Sequence, residues 1–355
     1  MKLKPIREQV VVIAGAASGI GRATALEITR RGAKVVAGDN DLVGLQTLQD
    51  EVRQRGGTLV PVEVDVADFA QVQSLADRAS QEFGRIDSWI HVAAVALYAT
   101  FEQTTPEEFR RVIDVNLMGQ VHGAKAALPY LAASGGGALI HISSIEAKRA
   151  LPYHSAYAAS KHGIDGFLEA LRLELRHQGL PISVTEIMPA SINTPLFDKA
   201  ETKLGVKPIG IPPLYAPEAV TQAILHAAEN PTCDIFVGGA GYALDRGQRL
   251  SPKVMDEILL RTAFRGQKTK EPRSAQAPNN LFGPAGRYNR VQGDFGALTF
   301  KRSLATWLQL HPAAKGAAML GAATAASWLL RHRDAERSRV GDLGKQRPRG
   351  AVGAR

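Results

Sequence analysis

The chain has 355 residues, enough for one large domain or two ordinary ones, and its content of 45% hydrophobic and 22% charged residues is typical of a globular protein with a substantial core. Its single cysteine, Cys233, excludes an internal disulfide. The first apolar run, of about five residues, is too short for a signal-peptide core, so we expect a cytoplasmic protein. Residues 246–355 carry a net charge of +14 and the rest −5, so the overall +9 does not indicate a basic active site or a specific nucleic-acid site in the first two thirds.

From residue 10 onward, short β-branched apolar runs alternate with amphipathic segments. Seven strands are predicted, at 10–14, 34–38, 58–64, 87–92, 138–142, 182–187 and 234–237. Helices are predicted between them, including two long ones at 106–131 and 154–178. This alternation with short connections predicts an α/β fold, a doubly wound parallel sheet with helices on both faces.

The first predicted strand ends in a glycine-rich turn, spaced Gly-x-x-x-Gly-x-Gly, and a helix follows. Glycines let a backbone approach a pyrophosphate closely, and a helix N-terminus offers N–H groups and a partial positive charge. A tight turn without a ligand is the alternative, but strand, glycine turn and helix together favour a dinucleotide site. The expected contacts in the turn are Gly15, Ser18, Gly19, Ile20 and Gly21.

Asp39 ends the second predicted strand, eighteen residues after Gly21, where an acidic group meets the adenosine ribose hydroxyls. A carboxylate there repels a 2′-phosphate, and Ser18 and Asn40 add no positive charge. We therefore expect NAD(H) to be preferred over NADP(H). The alternative is that Asp39 only caps the helix that follows.

Tyr157 and Lys161 are four residues apart on a predicted helix, so their side chains share one face. An ammonium beside a phenol favours the phenolate, which would lower the pKa of Tyr157 and suit it to acid–base chemistry near neutral pH. Ser144 follows the fifth predicted strand and could bond the same reacting oxygen. A Tyr-x-x-x-Lys pair is common by chance, and it becomes informative only with the nucleotide site upstream.

In this order and spacing, the motifs resemble the short-chain dehydrogenase/reductase family over roughly residues 8–240. The resemblance implies a Rossmann-type fold and an NAD(P)-dependent enzyme that interconverts a secondary alcohol and a ketone by hydride transfer. It implies that Tyr157 is the general acid and base, that Lys161 binds the nicotinamide ribose and that Ser144 orients the substrate carbonyl. It also implies that Asn116 holds a water linking Lys161 to solvent.

The same resemblance assigns further cofactor contacts, with Asp65 at the adenine and both Ile192 and Thr194 at the carboxamide. The other cofactor contacts that we expect are Val66, Ala93, Tyr157, Lys161 and Pro189. The chain departs from the family where His91-Val92-Ala93-Ala94 replaces the usual Asn-Asn-Ala-Gly. This places a methyl group near the cofactor ribose and leaves backbone bonding to other groups, such as His91.

The Pro- and Gly-rich segment 195–215 is predicted to be a lid, and its apolar side chains suggest an apolar substrate. Glu146, Tyr153 and Leu196 are expected to line the substrate site, although the first two could be plain loop residues. His154 and His162 flank Tyr157, and we interpret both as solvent-facing or packing residues.

We predict four regions: a catalytic domain at 1–245, a helix and irregular basic linker at 246–302, an apolar helical segment at 303–332 and a disordered basic tail at 333–355. The apolar segment is shorter than the ~20 residues that span a bilayer, so residues 303–333 either lie on a membrane surface or pack against protein. Family resemblance implies a homo-oligomer, a dimer or tetramer formed through the two long helices. No metal site is predicted, and the alternative function is a non-catalytic dinucleotide-binding protein recruited to a surface by its basic C-terminal region.

Overall fold

The computed structural model describes residues 1–274, 276–314, 316 and 324, and its centre is a seven-stranded parallel sheet. The strands are β1 (Val10–Ala14), β2 (Lys34–Asp39), β3 (Thr58–Glu63), β4 (Ser88–His91), β5 (Gly137–Ile142), β6 (Ile182–Pro189) and β7 (Asp234–Val237). Their order across the sheet is β7-β6-β5-β4-β1-β2-β3. The predicted Rossmann-type architecture is confirmed.

The direction of the chain across the sheet reverses at β1, which lies between β4 and β2. Every residue of β1 is buried, as its continuous Val and Ile run requires of a strand covered on both faces. Ala14 pairs with Gly38 of β2 and with His91 of β4, so the three strands end at one level. Open α/β sheets bind their ligands at such a reversal, beyond the carboxyl ends of the strands.

Two layers of helices cover the sheet. The helices are α1 (Gly19–Arg30), α2 (Leu42–Gln54), α3 (Phe69–Phe83), α4 (Pro106–Ile113), α5 (Gly119–Ala133), α6 (Ser155–His177), α7 (Leu196–Lys199), α8 (Pro217–Glu229), α9 (Gly239–Leu250), α10 (Pro252–Gly266) and α11 (Leu304–Leu310). Helix α1 packs against α2 and α8, whereas α3 packs against α5 and α4 against α6. Alanine and leucine side chains between the sheet and α3, α5 and α6 form the larger part of the core.

The helix predicted at 106–131 is a continuous rod with one irregular turn. It begins with a capping box, in which the Glu108 amide donates to Thr105 Oγ1 at 3.3 Å and the Thr105 amide donates to Glu108 Oε2 at 2.8 Å. Residues Asp114–Met118 then form a π-helical turn between α4 and α5. Asn116 lies in this turn, a type of irregularity that often marks functional sites.

Residues 246–302, predicted to be a basic linker, are part of the compact unit Met1–Trp307. Lys268–Pro272 pairs antiparallel with Val206–Pro208 of the predicted lid, and Thr299–Phe300 pairs with Leu214–Tyr215. A second unit begins at Leu308. The predicted tail at 333–355 and residues 315, 317–323 and 325–332 of the predicted apolar segment lie outside the described residues. No helix among the described residues is long and apolar enough to cross a membrane.

Candidate active site

The glycine turn after β1 is shaped by close backbone contacts. Gly15 has a φ of +90°, and a Cβ there would lie 2.4 Å from the amide nitrogen of Ala93. A Cβ at Gly21 would lie 1.8 Å from the carbonyl oxygen of Gly15. The Ala17 amide donates to Asp39 Oδ2 at 2.9 Å, which fixes the carboxylate beside the turn. Only glycine fits at positions 15 and 21, and the resulting concave backbone suits a dinucleotide.

A cavity of about 810 Å³, including its solvent-open part, lies over this turn. Nine of the predicted cofactor contacts line it: Gly15, Ser18, Gly19, Ile20, Asp39, Asp65, Val66, Ala93 and Thr194. Gly21 packs inside the turn and does not line the cavity. We call this space the cofactor cavity.

A lysine from the lid reaches the ribose end of the cofactor cavity. Lys199, at the end of α7, donates from Nζ to Ser18 Oγ at 2.9 Å and lines the cavity beside Asp39. Burial raises the pKa of the Asp39 carboxyl, and the charge of Lys199 partly opposes that rise. Sequence reasoning found no positive charge here because Lys199 is 160 residues from Asp39 along the chain.

Asp65 lines the same cavity and is held there by two donors. Its Oδ2 accepts from Arg111 Nη2 at 2.8 Å, and its Oδ1 accepts from the Ala67 amide at 3.0 Å. Arg111 also donates from Nε to the carbonyl of Leu281 at 2.9 Å. The carboxylate is therefore oriented by α4 and by a segment from the C-terminal third.

That segment, residues 278–295, runs along the mouth of the cofactor cavity, and we call it the strap. The Gly19 amide, in the first turn of α1, donates to the Arg290 carbonyl at 2.9 Å. The Asn280 amide donates to the Lys199 carbonyl at 2.9 Å, and the Gly293 amide donates to the Asn193 carbonyl at 3.2 Å. The strap thus joins the glycine turn to the lid, which sequence analysis did not foresee.

A cluster of charges secures the strap to the lid. Lys207 Nζ lies 2.8 Å from Asp198 Oδ1 and 2.6 Å from Asp294 Oδ2. Arg290 Nη2 lies 2.9 Å from Asp198 Oδ2 and 2.6 Å from Asp294 Oδ1. Asp198 is 2% exposed, so its two cations compensate a charge that water does not reach.

A second cavity of about 830 Å³ adjoins the first, and we call it the substrate cavity. Ile20, Thr194 and Leu196 line both. Four predicted cofactor contacts, Tyr157, Lys161, Pro189 and Ile192, line the substrate cavity rather than the cofactor cavity.

Ser144, Tyr157 and Lys161 are brought together beyond the carboxyl end of β5. Lys161 Nζ lies 5.4 Å from the centre of the Tyr157 ring and donates to the Ile142 carbonyl at 3.0 Å. The hydroxyl of Ser144 is hydrogen-bonded to that of Tyr157 and also accepts from the Glu146 amide at 3.1 Å. The strand end therefore positions the serine, and α6 positions the other two.

The electrostatics of this group differ from the expectation. Burial raises the pKa of Tyr157 well above its usual value, the Glu146 carboxylate adds to the rise, and the Ser144 hydrogen bond opposes it. Burial also lowers the pKa of Lys161 to about 8. The expectation of a lowered pKa for Tyr157 is wrong for this structure, because the cost of burying a phenolate outweighs the opposing contribution of Ser144.

Asn116 is buried, and its side chain is bonded to backbone. Its Oδ1 accepts from the Val95 amide at 2.8 Å and its Nδ2 donates to the Val95 carbonyl at 3.0 Å. These bonds fix the segment after β4, which forms one wall of both cavities. Asn116 lines neither cavity, and its predicted water stays a prediction.

His91 does not take over the backbone bonding of the missing asparagine. Both ring nitrogens are buried without a hydrogen-bond partner among the described residues, and burial lowers the pKa of His91 well below its usual value. The ring packs against α5, where a Cβ at Gly123 would lie 2.4 Å from its Nδ1. His91 is therefore a neutral packing residue.

The substrate cavity has mostly apolar walls. These are formed by Tyr98, Ile145, Leu151, Leu196, Phe197 and Ile211. Glu146 lines the substrate cavity, as predicted. His154 and Gln267 also line it, and sequence analysis did not identify either as a substrate-site residue. His154 belongs to no motif, and Gln267 lies in the predicted linker, so only the folded chain reveals them.

Tyr153 does not line the substrate cavity, contrary to expectation. Its backbone is left-handed, with a φ of +68°, and its ring packs against Phe264 with ring centres 5.3 Å apart. Lys268 Nζ lies 5.0 Å from the same ring. The residue therefore anchors α10 and the segment after it.

The fold and the site agree with comparisons to known proteins. The family described as short chain dehydrogenase matches residues 9–205. An uncharacterised oxidoreductase of Bacillus subtilis, YxnA, is 35% identical over 284 residues, which are 79% of this chain and 80% of that protein. A cyclohexanol dehydrogenase of an Acinetobacter species is 32% identical over 67% of this chain and 93% of its own length.

A solved structure gives the same result. The short-chain dehydrogenase of Mycobacterium paratuberculosis, solved with NAD bound, superposes with a TM-score of 0.58 at 26% identity, covering 64% of this chain and 96% of that one. Three findings indicate the same family: the fold of this structure, the matched family model, and the presence of a glycine turn together with Ser144, Tyr157 and Lys161. The chain belongs to the short-chain dehydrogenase/reductase family and is an NAD(P)-dependent oxidoreductase.

Proposed function

We propose that the chain interconverts a secondary alcohol and a ketone on a largely apolar substrate, with Tyr157 as the general acid and base. The observation that carries this proposal is the common wall of the two cavities, formed by Ile20, Val92, Ala94, Thr194 and Leu196. A group held at this junction lies between the cofactor cavity and Tyr157. A nicotinamide cofactor, when bound, supplies or accepts the hydride there.

The residues of the chain handle the proton. The Ser144 hydroxyl donates a hydrogen bond to the substrate oxygen, and the Tyr157 hydroxyl transfers a proton to that oxygen during ketone reduction. Because burial raises the pKa of Tyr157, the phenol is protonated at neutral pH and ready to donate. Alcohol oxidation needs the phenolate, so we expect its rate to increase with pH while ketone reduction does not.

The walls of the substrate cavity support an apolar substrate body. Aromatic and aliphatic side chains form most of its surface, and apolar walls favour a ligand of the same character. The similar cyclohexanol dehydrogenase takes, by its name, a secondary alcohol on an apolar ring.

Asp39 supports a preference for NAD(H). Its carboxylate is held by the Ala17 amide at the ribose end of the cofactor cavity and would repel a 2′-phosphate. The positive charge of Lys199 reduces this repulsion, as it also opposes the effect of burial on the pKa of Asp39. The NAD bound to the similar mycobacterial protein is consistent with this preference.

The long helices support a homo-oligomer. Leu173 on α6 is 68% exposed, so a second copy packed on this helix would bury apolar surface there. Family members pair through helices at this place, so we propose a dimer or tetramer in which a second copy covers Leu173.

A Tyr157→Phe variant tests the proposed chemistry. It removes only the hydroxyl, so we expect kcat to fall at least about a thousandfold while the Kd for NADH stays within about twofold of the wild type. Tyr242→Phe on α9, outside both cavities, is the matched control and should retain full turnover. Wild-type kcat in Tyr157→Phe would refute the role of the tyrosine, and a purely scaffolding protein would show no turnover in any variant.

A further inference from the structure

A buried ion-pairing group lies in the wall of the substrate cavity, beside the catalytic tyrosine. Glu146 Oε1 and His154 Nδ1 are 2.7 Å apart, and both side chains are 7% exposed. The His154 ring packs edge-on against Tyr98, with ring centres 4.2 Å apart, and lies 5.4 Å from the Tyr157 ring. The proton transfer proposed above uses neither Glu146 nor His154, so their burial needs another explanation.

The contact with Glu146 determines what His154 can offer to a ligand. A carboxylate only accepts hydrogen bonds, so Nδ1 carries the hydrogen and Nε2 of the neutral ring is an acceptor. Nε2 is buried and has no partner among the described residues, although the residue lines the substrate cavity. Buried acceptors without partners are costly, so such an atom points to a missing donor.

Gln267 presents a second acceptor in the same cavity. Its Nε2 donates to the Pro152 carbonyl at 3.1 Å and to the Ala263 carbonyl at 3.2 Å, which fixes the orientation of the amide. The side-chain oxygen is then left without a partner among the described residues, and Gln267 is 1% exposed. Two residues with a buried acceptor, one directly before α6 and one in the C-terminal third, therefore line one cavity.

We propose that a second hydroxyl group of the substrate, away from the carbon that is oxidised or reduced, donates its one hydrogen to the pair of acceptors His154 Nε2 and Gln267 Oε1, which share it. The substrate class is then a diol or a hydroxyketone with an apolar body, and Glu146 positions the histidine ring. This inference rests on the proposed alcohol–ketone chemistry and specifies which alcohol the site takes.

Other polar groups fit the two acceptors less well. A carboxylate or phosphate offers no donor and would be repelled by Glu146. An ammonium group has three hydrogens to place, whereas the wall offers two acceptors without partners, because the oxygens of Glu146 already accept from His154 and, at 3.4 Å, from the Leu151 amide. A hydroxyl needs only neutral acceptors.

Matched substrates test the proposal. Oxidation of cyclohexanol is compared with that of the 1,2-, 1,3- and 1,4-cyclohexanediols and of 4-aminocyclohexanol, using the full chain with NAD. We expect at least one diol to have a kcat/KM about tenfold to a hundredfold above that of cyclohexanol, because a site built for a hydroxyl discriminates against the analogue lacking it. In His154→Phe and in Gln267→Met, this ratio should fall toward one.

Two further variants separate recognition from structure. Glu146→Gln keeps an oxygen that accepts from Nδ1, so it should retain most of the diol preference that His154→Phe loses. His162→Phe is the matched control, since this exposed histidine on α6 bonds the Ala158 carbonyl and should leave the ratio unchanged. A drop in His162→Phe equal to that in His154→Phe would overturn the assignment of the second hydroxyl to His154.

Failure of the inference can be told from failure of the proposed function. Equal kcat/KM for cyclohexanol and every diol would overturn the second-hydroxyl site while leaving the alcohol–ketone chemistry intact, and a preference for the amino alcohol would overturn the choice of hydroxyl. If no compound is turned over, the proposed function fails, and thermal shifts of the NADH-loaded chain then decide the inference. A diol-specific shift lost in His154→Phe supports it, and the absence of such a shift overturns it.

Discussion

Lys161 combines deep burial with a positive charge, and replacing it with methionine is expected to stabilise the fold while removing activity. The side chain is 1% exposed, and burial lowers its pKa from 10.5 to about 8, against the opposing charges of Glu186 and Glu146. Methionine has a similar length and carries no charge. The ammonium group is thus kept for the reaction at a cost in stability.

The size of this cost follows from the pKa. A fall from 10.5 to about 8 corresponds to about 3 kcal/mol, at about 1.4 kcal/mol per pKa unit. Methionine also loses the hydrogen bond to the Ile142 carbonyl, worth about 1 kcal/mol. That carbonyl keeps a bond at 3.0 Å from Gln120 Nε2. Burial raises the pKa of Glu186, so its carboxyl can take up a proton once the neighbouring cation is removed. We therefore expect Lys161→Met to raise the free energy of unfolding by about 2 kcal/mol at pH 7.

The dependence on pH has a definite sign. The folded pKa lies below the unfolded one, so between pH 8 and pH 10.5 the unfolded wild type binds more protons than the folded state, and its stability rises with pH. The destabilisation is fully present below pH 8 and disappears above pH 10.5. The advantage of the variant should therefore decrease by about 3 kcal/mol across this range.

Urea denaturation of wild type and Lys161→Met at pH 7, 8, 9 and 10, with alcohol oxidation measured at pH 7, tests the reasoning. Lys125→Met is the matched control, since this lysine is exposed on α5 and its removal should change stability by less than about 0.5 kcal/mol. A variant less stable than wild type at pH 7, or a stability difference that does not change with pH, would refute the argument.

Four further substitutions test the cofactor cavity and the strap. In urea denaturation, Gly15→Ala should lower the free energy of unfolding by about 2 kcal/mol more than Gly56→Ala. Both glycines have a positive φ, but an added Cβ would collide with backbone atoms at Gly15 and would meet open space at Gly56. Cofactor preference is measured as kcat/KM with NAD divided by kcat/KM with NADP. Asp39→Ala should lower this ratio at least about tenfold, and Lys199→Met should raise it. A wild-type enzyme that prefers NADP would contradict the charge argument. Lys207→Met should lower the free energy of unfolding by about 2 kcal/mol, because it leaves Asp198 with one cation fewer. It should also speed tryptic cleavage in the strap and weaken NADH binding. An unchanged rate of cleavage would show that the charge cluster does not hold the strap.

Local patterns along the chain were sufficient for the framework of the site. The apolar run of β1 followed by glycines predicts strand, turn and helix, and Thr105 with Pro106 predicts the start of α4. Tyr157 and Lys161 were predicted to share a helix face because that requires only their spacing. Each of these inferences depends on residues within a few positions of one another.

Properties that depend on distant segments were not predictable in the same way. The rise in the pKa of Tyr157 results from burial, which the spacing of its motif does not encode. Lys199 meets Asp39 only because the lid folds back over β2, and Gln267 reaches the substrate cavity only through the pairing of Lys268–Pro272 with the lid. Pro- and Gly-rich composition indicated a linker, but backbone bonds such as that of the Gly19 amide place the strap against the domain.

The residues of the proposed reaction and some of the residues that complete the two cavities lie in different parts of the chain. The residues of the proposed reaction lie within 9–205, the part of the chain that matches the family. Gln267 and the strap, with Arg290 at the glycine turn, lie beyond it and complete the substrate and cofactor cavities. In the proposed reaction, the residues that transfer the proton therefore lie inside the family match, whereas the proposed recognition of a second hydroxyl also uses Gln267, which lies outside it. Exchanging the 266–300 region with that of a relative should accordingly change substrate preference more than it changes the pH dependence of the reaction.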